Sequence, residues 1–359
     1  MAREGAVGAV VRSIDAARAQ KPKGSLARPT AGGAGRFVQG LSAEGRAAEA
    51  ARSRRDPRSA QPGISDVIEA ALDLGMRVAR AVSEIWGVDL PGPTAMPADL
   101  PEMDAFGHDA AYEERAAVLF RWLYRSWWRV QVRGIERVPS KGRVLLVANH
   151  AGGLFAYDGA MAKVALRDVH PAARNLRPLI DDFVYDTPFV GNFMSRCGGV
   201  RACEDNALRL LENDEAVIVF PEGTKGVGKL FRDRYRLVRF GRGGFIRVAL
   251  KTGSPIVPVA IVGAEEIHPV LGRWDWMGRQ IGLPYFPMTP TFPWLGALGL
   301  VPLPSRWRIE FGEPMDFAST YGPDAASDPL LVNRLAEEVR ARVQDMVFDA
   351  LERRGPAFL

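Results

Sequence analysis

Two short segments carry side chains whose types and spacing could do chemistry. The first, Asn149-His150-Ala-Gly-Gly-Leu-Phe-Ala-Tyr-Asp158, leaves the apolar run Arg143–Ala148. Histidine is the natural general base near neutral pH, and a carboxylate on its other ring nitrogen fixes the tautomer and stabilises the imidazolium. Gly152 and Gly153 let the backbone turn sharply and let a substrate approach closely. Two readings stay open on this segment: a His150–Asp158 base pair, or a histidine ending a strand and an aspartate capping the next helix. The second segment, Phe220-Pro221-Glu222-Gly223-Thr224-Lys225-Gly226, also follows an apolar run. Its carboxylate, hydroxyl, ammonium and glycines suit an anionic group. Upstream, Gly198-Gly199-Val200-Arg201 is a glycine turn ending in an arginine suited to phosphate or carboxylate.

Several other chemistries lack their residues. There is no G-x-S-x-G elbow and no H-E-x-x-H pair. Gly223–Leu230 (GTKGVGKL) imitates a phosphate-binding P-loop, but Leu230 stands where the magnesium-binding Ser or Thr should be. The chain holds four histidines and two cysteines, Cys197 and Cys203, whose spacing fits no zinc framework, so no metal is expected. Two isolated thiols in 359 residues point to a reducing compartment.

The elements that must position these segments follow from periodicity. Val130–Val132, Arg143–Ala148, Arg177–Ile180, Ala216–Phe220, Pro255–Val262 and Trp307–Phe311 read as strands. Between them, Gly159–Leu166, Pro188–Met194, Glu204–Leu211 and Gly244–Thr252 read as helices, and Pro329–Arg353 as a final amphipathic helix. Buried apolar strands separated by helices predict an α/β fold: a single domain with a mostly parallel central sheet flanked by helices, over residues 128–359. Residues 61–127 are expected to form N-terminal amphipathic helices, over Ser65–Val88 and Ala110–Trp127, joined by the Pro-rich linker Asp89–Pro101. Residues 1–60 hold twelve Lys/Arg against five Asp/Glu, whereas the remaining 299 hold 35 against 37. The positive charge therefore sits on an Ala/Gly/Arg-rich stretch expected to be a disordered basic tail, not on the folded body, which argues against nucleic acid as a partner.

Taken together and in this order, Asn149/His150/Asp158, Gly198–Arg201, Phe220–Lys225 and Ile256–Val259 resemble the sequence blocks of the glycerolipid acyltransferase superfamily, which includes lysophosphatidate acyltransferases. The resemblance covers about Val130 to Phe311. The family's His-to-Asp spacing is usually shorter than the seven residues between His150 and Asp158, which leaves Asp181 and Asp182 as alternative partners for the base. Lys225 replaces the usual arginine, and the Arg-rich stretch Lys229–Arg242 looks more like the mono- and diacylglycerol acyltransferase-like branches.

The resemblance implies transfer of a fatty acyl group from acyl-CoA, or an acyl carrier protein thioester, to a glycerolipid hydroxyl. His150 would take the hydroxyl proton and Asp158 would orient it, while Asn149, Gly153, Arg201, Glu222, Gly223, Thr224 and Lys225 would hold substrate. No cofactor is then expected beyond acyl-CoA as co-substrate. The rival reading is a catalytically inactive lipid-surface binding protein of the same fold; a lipid hydrolase is a third. Such a lipid substrate implies a cytoplasmic chain associated peripherally with a membrane surface. Two segments could make that contact or else pack as core: the aromatic and arginine-rich stretch Phe120–Trp128, and the apolar loop Gly282–Leu303, whose prolines forbid a membrane span.

Overall fold

The computed structural model describes residues 103–151, 157–186, 190–280 and 285–358. The expected tail, the helix over Ser65–Val88 and the linker Asp89–Pro101 lie outside the described residues, as do Gly152, Gly153, Pro188, Gly282 and Leu283. The chain runs through α1 (Ala110–Trp122), β1 (Gln131–Arg133), β2 (Val144–Ala148), α2 (Tyr157–Asp168), β3 (Leu176–Ile180), α3 (Asp182–Tyr185) and α4 (Val190–Arg196). It continues through β4 (Val200–Arg201), α5 (Glu204–Glu212), β5 (Ala216–Val219), α6 (Thr224–Val227), α7 (Gly244–Thr252) and β6 (Ile256–Val262). Last come β7 (Gly272–Trp274), α8 (Asp275–Gln280), β8 (Phe286–Met288), β9 (Arg308–Phe311), α9 (Phe317–Tyr321) and α10 (Pro329–Glu352).

Seven strands form one sheet in the order β1-β9-β6-β2-β5-β3-β4. It is mostly parallel: β2 pairs with β5 through Val144↔Ala216 and with β6 through Leu145↔Ile256, and β6 meets β9 antiparallel through Ile261↔Ile309. The expected single α/β domain with flanking helices is thus the fold adopted. Strands β2 and β6 are buried at every residue, as continuous apolar runs covered on both faces should be. Their pleat sends alternate side chains to two cores. Leu145, Val147, Val217 and Ala260 pack with residues of α5, α7 and α10, while Val144, Leu146, Ile218 and Val259 pack with α2, Trp128 and Trp307. Helix α10 follows from its stripe of Val332, Leu335, Val339, Val343 and Met346 and starts at Asp328, whose carboxylate caps the N–H groups of Leu330 and Leu331.

Of the two readings of the arginine and aromatic stretch, the structure takes the packed one. Helix α1 ends at Trp122 and passes into a π turn over Leu123–Trp127. Arg121 is only 2% exposed: it donates to Glu114 Oε1 at 2.7 Å and to Asp168 Oδ2 at 2.9 Å. These carboxylates compensate its desolvation, so the aromatic face turns inward. Trp128 stacks on Trp307 at 4.7 Å between centroids, and its indole N–H donates to the Leu303 carbonyl at 3.1 Å.

The apolar loop also differs from expectation, because β7 and β8 pair antiparallel within the excursion between β6 and β9. This small lobe leaves Trp276 (65%), Trp294 (72%) and Leu298 (74%) exposed. Tyr285, by contrast, is buried, and Trp274, Phe286 and Phe292 form a chain of ring contacts.

Trp128 anchors the sheet to α1, so Trp128→Ala should destabilise the fold by about 3–5 kcal/mol in denaturant titrations. Trp127→Ala, at a half-buried neighbour, should destabilise it less. Equal effects of the two would remove Trp128 from its place as the anchor.

Candidate active site

At the carboxyl end of β2 the backbone must leave a sheet in which both its edges were paired. Asn149 makes the exit. Its side-chain Nδ2 donates to the Ile261 carbonyl at 2.9 Å and its Oδ1 accepts from the Ile261 N–H at 2.7 Å, so the amide acts as one more rung between β2 and β6. The next residue, His150, is thereby turned out over the end of the sheet, where open α/β folds build their sites.

His150 Nδ1 lies 2.7 Å from Asp158 Oδ2, despite the longer spacing in the sequence. Asp158 stands in the first turn of α2 and is wholly buried. Its Oδ2 also accepts the Ala151 N–H and its Oδ1 the Gly159 N–H, each at 2.9 Å, so the carboxylate is fixed on both oxygens. Asp182, an alternative partner, instead pairs with Arg201 at 2.5 Å on the surface. The His150 ring stacks on Phe220 with centroids 4.7 Å apart. With Nδ1 engaged, Nε2 is the nitrogen left for a substrate proton.

The loop after β5 supports this pair from below. Glu222, buried, accepts the His150 N–H on Oε1 at 2.9 Å and the Val238 N–H on Oε2 at 2.8 Å. Lys229 Nζ approaches Glu222 Oε2 at 3.3 Å and Glu265 Oε1 at 2.7 Å. That ammonium is the lysine of the apparent P-loop, and it faces two carboxylates, not a phosphate site. Gly223 has φ +56° and ψ −150°, a conformation only glycine adopts readily. Gly226 serves close approach: a Cβ there would lie 2.7 Å from the Glu222 Cβ and 3.0 Å from that of His150.

A cavity of about 530 Å³ opens beside His150, Gly223 and Thr224. Ala117 and Phe120 of α1, Val164 of α2, Ile180 of β3 and Phe193 of α4 give it mostly apolar walls. Charged residues border it as well. Glu113 is held at about 2: burial pushes its carboxyl up, but Lys163 at 3.0 Å and His108 more than reverse that. Tyr285 joins the lining and donates its hydroxyl to the Val227 carbonyl at 3.1 Å, which brings the exposed lobe to the cavity.

Not all the residues expected to hold substrate line the cavity. Asn149 and Glu222 have their polar atoms on the protein's own backbone, which makes them supports of His150. Arg201 and Lys225 are exposed and outside the cavity lining, and Gly153 lies outside the described residues. Lys229 and Glu265 escaped the sequence reading as members of the site. They lie on loops after different strands and meet only because β5 and β6 flank β2. Among the described residues no group of three or more His, Cys, Asp or Glu side chains could hold a metal ion, and no helix is long and apolar enough to cross a membrane.

The family model described as Acyltransferase matches residues 129–262. An uncharacterized protein of Mycobacterium tuberculosis is 48% identical over 260 residues, covering 71% of each chain. The bovine protein named DGAT1/2-independent enzyme synthesizing storage lipids is 22% identical over 250 residues, covering 68% of this chain and 67% of its own. The crystal structure of the 1-acyl-sn-glycerophosphate acyltransferase PlsC of Thermotoga maritima aligns with a TM-score of 0.39 and 22% identity, over 66% of this chain and 78% of that one.

Burial disfavours a charged His150, but the carboxylates of Asp158 and Glu222 outweigh it and raise the imidazole above its ordinary pKa. A raised pKa contributes stability that is full below the unfolded value of about 6.5 and is lost as pH rises through the folded value. Asp158→Asn removes the main cause. The stability gap between wild type and Asp158→Asn should therefore be widest at acid pH and narrow on raising the pH, in denaturant titrations across that range. A gap that widens with pH would contradict the assigned pair.

Proposed function

Because the chain belongs to the glycerolipid acyltransferase superfamily, we propose that it transfers a fatty acyl group from a thioester, acyl-CoA or an acyl carrier protein, to a glycerolipid hydroxyl, with His150 as general base. The observation that carries this reading is the 2.7 Å contact of His150 with the buried Asp158 beside a mostly apolar cavity. The cavity is of a size and character for an acyl chain. His150 Nε2 takes the acceptor's hydroxyl proton as its oxygen attacks the thioester carbonyl. The tetrahedral adduct then expels the thiolate, which recovers a proton from the imidazolium, leaving an ester and a free thiol. Asp158 holds the tautomer and the positive charge, so no covalent enzyme intermediate is needed.

Gly223 and Thr224, which line the cavity beside His150, are assigned to the reacting groups. Lys225 and Arg201, exposed nearby, are assigned to the acceptor's polar head. The bovine relative's name refers to storage lipids, and the acceptors implied by the sequence resemblance are mono- and diacylglycerols as well as lysophosphatidate. In an assay of thiol release from acyl-CoA with vesicles carrying these acceptors, His150→Ala should reduce turnover about 100-fold or more in a folded protein. Activity within about threefold of wild type would end the mechanism. Thioester hydrolysis without an acceptor would favour the hydrolase reading. No turnover with any acceptor would favour the inactive lipid-surface binding protein.

The lipid substrate has to be met at a surface, and the β7–β8 lobe offers Trp276, Trp294 and Leu298 to it. Burying such side chains in lipid is worth roughly 1.5–3 kcal/mol each before ordering costs, enough for reversible peripheral docking. Replacing all three with Ser should abolish co-sedimentation with anionic vesicles while the melting temperature stays close to wild type. Unchanged co-sedimentation would remove the lobe from the docking surface.

A further inference from the structure

Three strand ends meet under the base. His150 follows β2, Glu222 follows β5 and Glu265 follows β6, and β2 lies between β6 and β5 in the sheet. Lys229 is the group that joins them. Its side chain is 8% exposed, and its ammonium reaches Glu265 Oε1 at 2.7 Å, Glu222 Oε2 at 3.3 Å and the Arg236 carbonyl at 3.2 Å. Glu265 in turn accepts the Tyr235 N–H on its other oxygen, and Glu222 accepts the His150 N–H. The ammonium thus bridges the two strands that flank the one bearing His150.

We propose that Lys229 and Glu265 are a positioning pair for the acyl-transfer reaction, holding Glu222 against the His150 peptide so that the imidazole keeps its place on Asp158. The inference rests on the reading of His150 as general base. Two buried carboxylates this close need a shared cation. Without it their repulsion and desolvation would drive one to take up a proton, or push Glu222 off the His150 N–H. Burial already presses Glu265 towards its neutral form, with Lys229 opposing. Lys229 itself stays charged: burial acts against its ammonium, and Glu265 and Glu222 outweigh burial.

A purely structural pair and a positioning pair differ in what they do to His150. The charged groups facing the ring are Asp158 from α2, with Glu222 and Lys229 from the segment after β5; the carboxylates favour the imidazolium and Lys229 opposes it. Lys229→Met should therefore shift the His150 titration midpoint by about half a pH unit or more, upward where Glu222 stays ionised beside the ring and downward where Glu222 takes up a proton or moves away. The midpoint is readable by NMR of ¹⁵N-histidine protein, because the chain has only four histidines and His150→Ala identifies the resonance. In the thiol-release assay the acid limb of kcat should move in the same direction. At the plateau kcat should fall about tenfold or more while the acceptor KM changes less than about threefold. Lys229→Arg should restore most of kcat.

If Lys229→Met does not fold, the double variant Lys229→Met/Glu265→Leu carries the test, since removing an ammonium and a carboxylate together leaves the buried net charge unchanged. It should fold with kcat still depressed, because Glu222 has lost its tie to β6. A folded variant with the wild-type His150 midpoint and kcat would overturn the proposal, and so would a double variant that cannot fold, which assigns the pair to stability alone. The two readings fail separately. An active His150→Ala protein removes the base itself, whereas an inactive one beside a fully active Lys229→Met protein removes only the positioning pair.

Discussion

The buried polar groups at the carboxyl end of β2 have to find partners within the protein. The strand is buried along its whole length and paired on both edges, so its last rungs cannot simply open to solvent. Three side chains solve the problem. Asn149 extends the pairing to β6, Glu222 takes the His150 N–H, and Asp158 takes the Ala151 N–H together with the imidazole. The same hydrogen bonds that terminate the strand hold His150 in one orientation. Site geometry and fold stability are here one set of contacts; that set leaves no room for a side chain at Gly226, while Gly223 is required by the positive φ of the approaching loop.

Concentrating carboxylates around a largely covered imidazole decides its chemistry. Burial alone would keep the ring neutral and weakly basic, whereas Asp158 and Glu222 make it a stronger base. Lys229 limits that effect and keeps the paired carboxylates from repelling each other. A comparable balance recurs beside the cavity, where Glu113 stays ionised although buried because Lys163, Arg167 and His108 surround it. Ionic groups can therefore border a mostly apolar cavity without being driven to neutrality.

Two stretches of similar composition end in opposite places. Arg121, Trp122 and Trp128 combine arginine with aromatic rings, and so does the lobe that carries Arg273, Trp274 and Trp276. The first is buried because Glu114 and Asp168 await Arg121 and because Trp307 offers a stacking face to Trp128. The second is a two-stranded excursion tied to the body through the buried Tyr285, whose hydroxyl reaches the Val227 carbonyl, which leaves Trp276, Trp294 and Leu298 at the surface. Hydrophobicity alone does not separate these outcomes; the availability of a charge partner and a packing face does.

Much of this was legible in the residues. Uninterrupted apolar runs such as Val144–Ala148 and Ile256–Val262 can only be strands covered on both faces, and their alternation with amphipathic helices dictates a mostly parallel sheet. A histidine and a Glu-Gly-Thr loop at the ends of such runs mark the site, because strand ends are where backbone and polar side chains escape the core. The spacing of His150 and Asp158 could not say whether they touch, since contact depends on how the intervening loop spans two elements. Nor could the sequence distinguish Asn149 and Glu222 as supports from substrate ligands, or join Lys229 to Glu265, because hydrogen-bond partners contributed by neighbouring strands carry no signature in local order. Strand adjacency, set by packing across the whole sheet, decided these contacts, and with them which of the polar residues act on His150 and which remain at the surface.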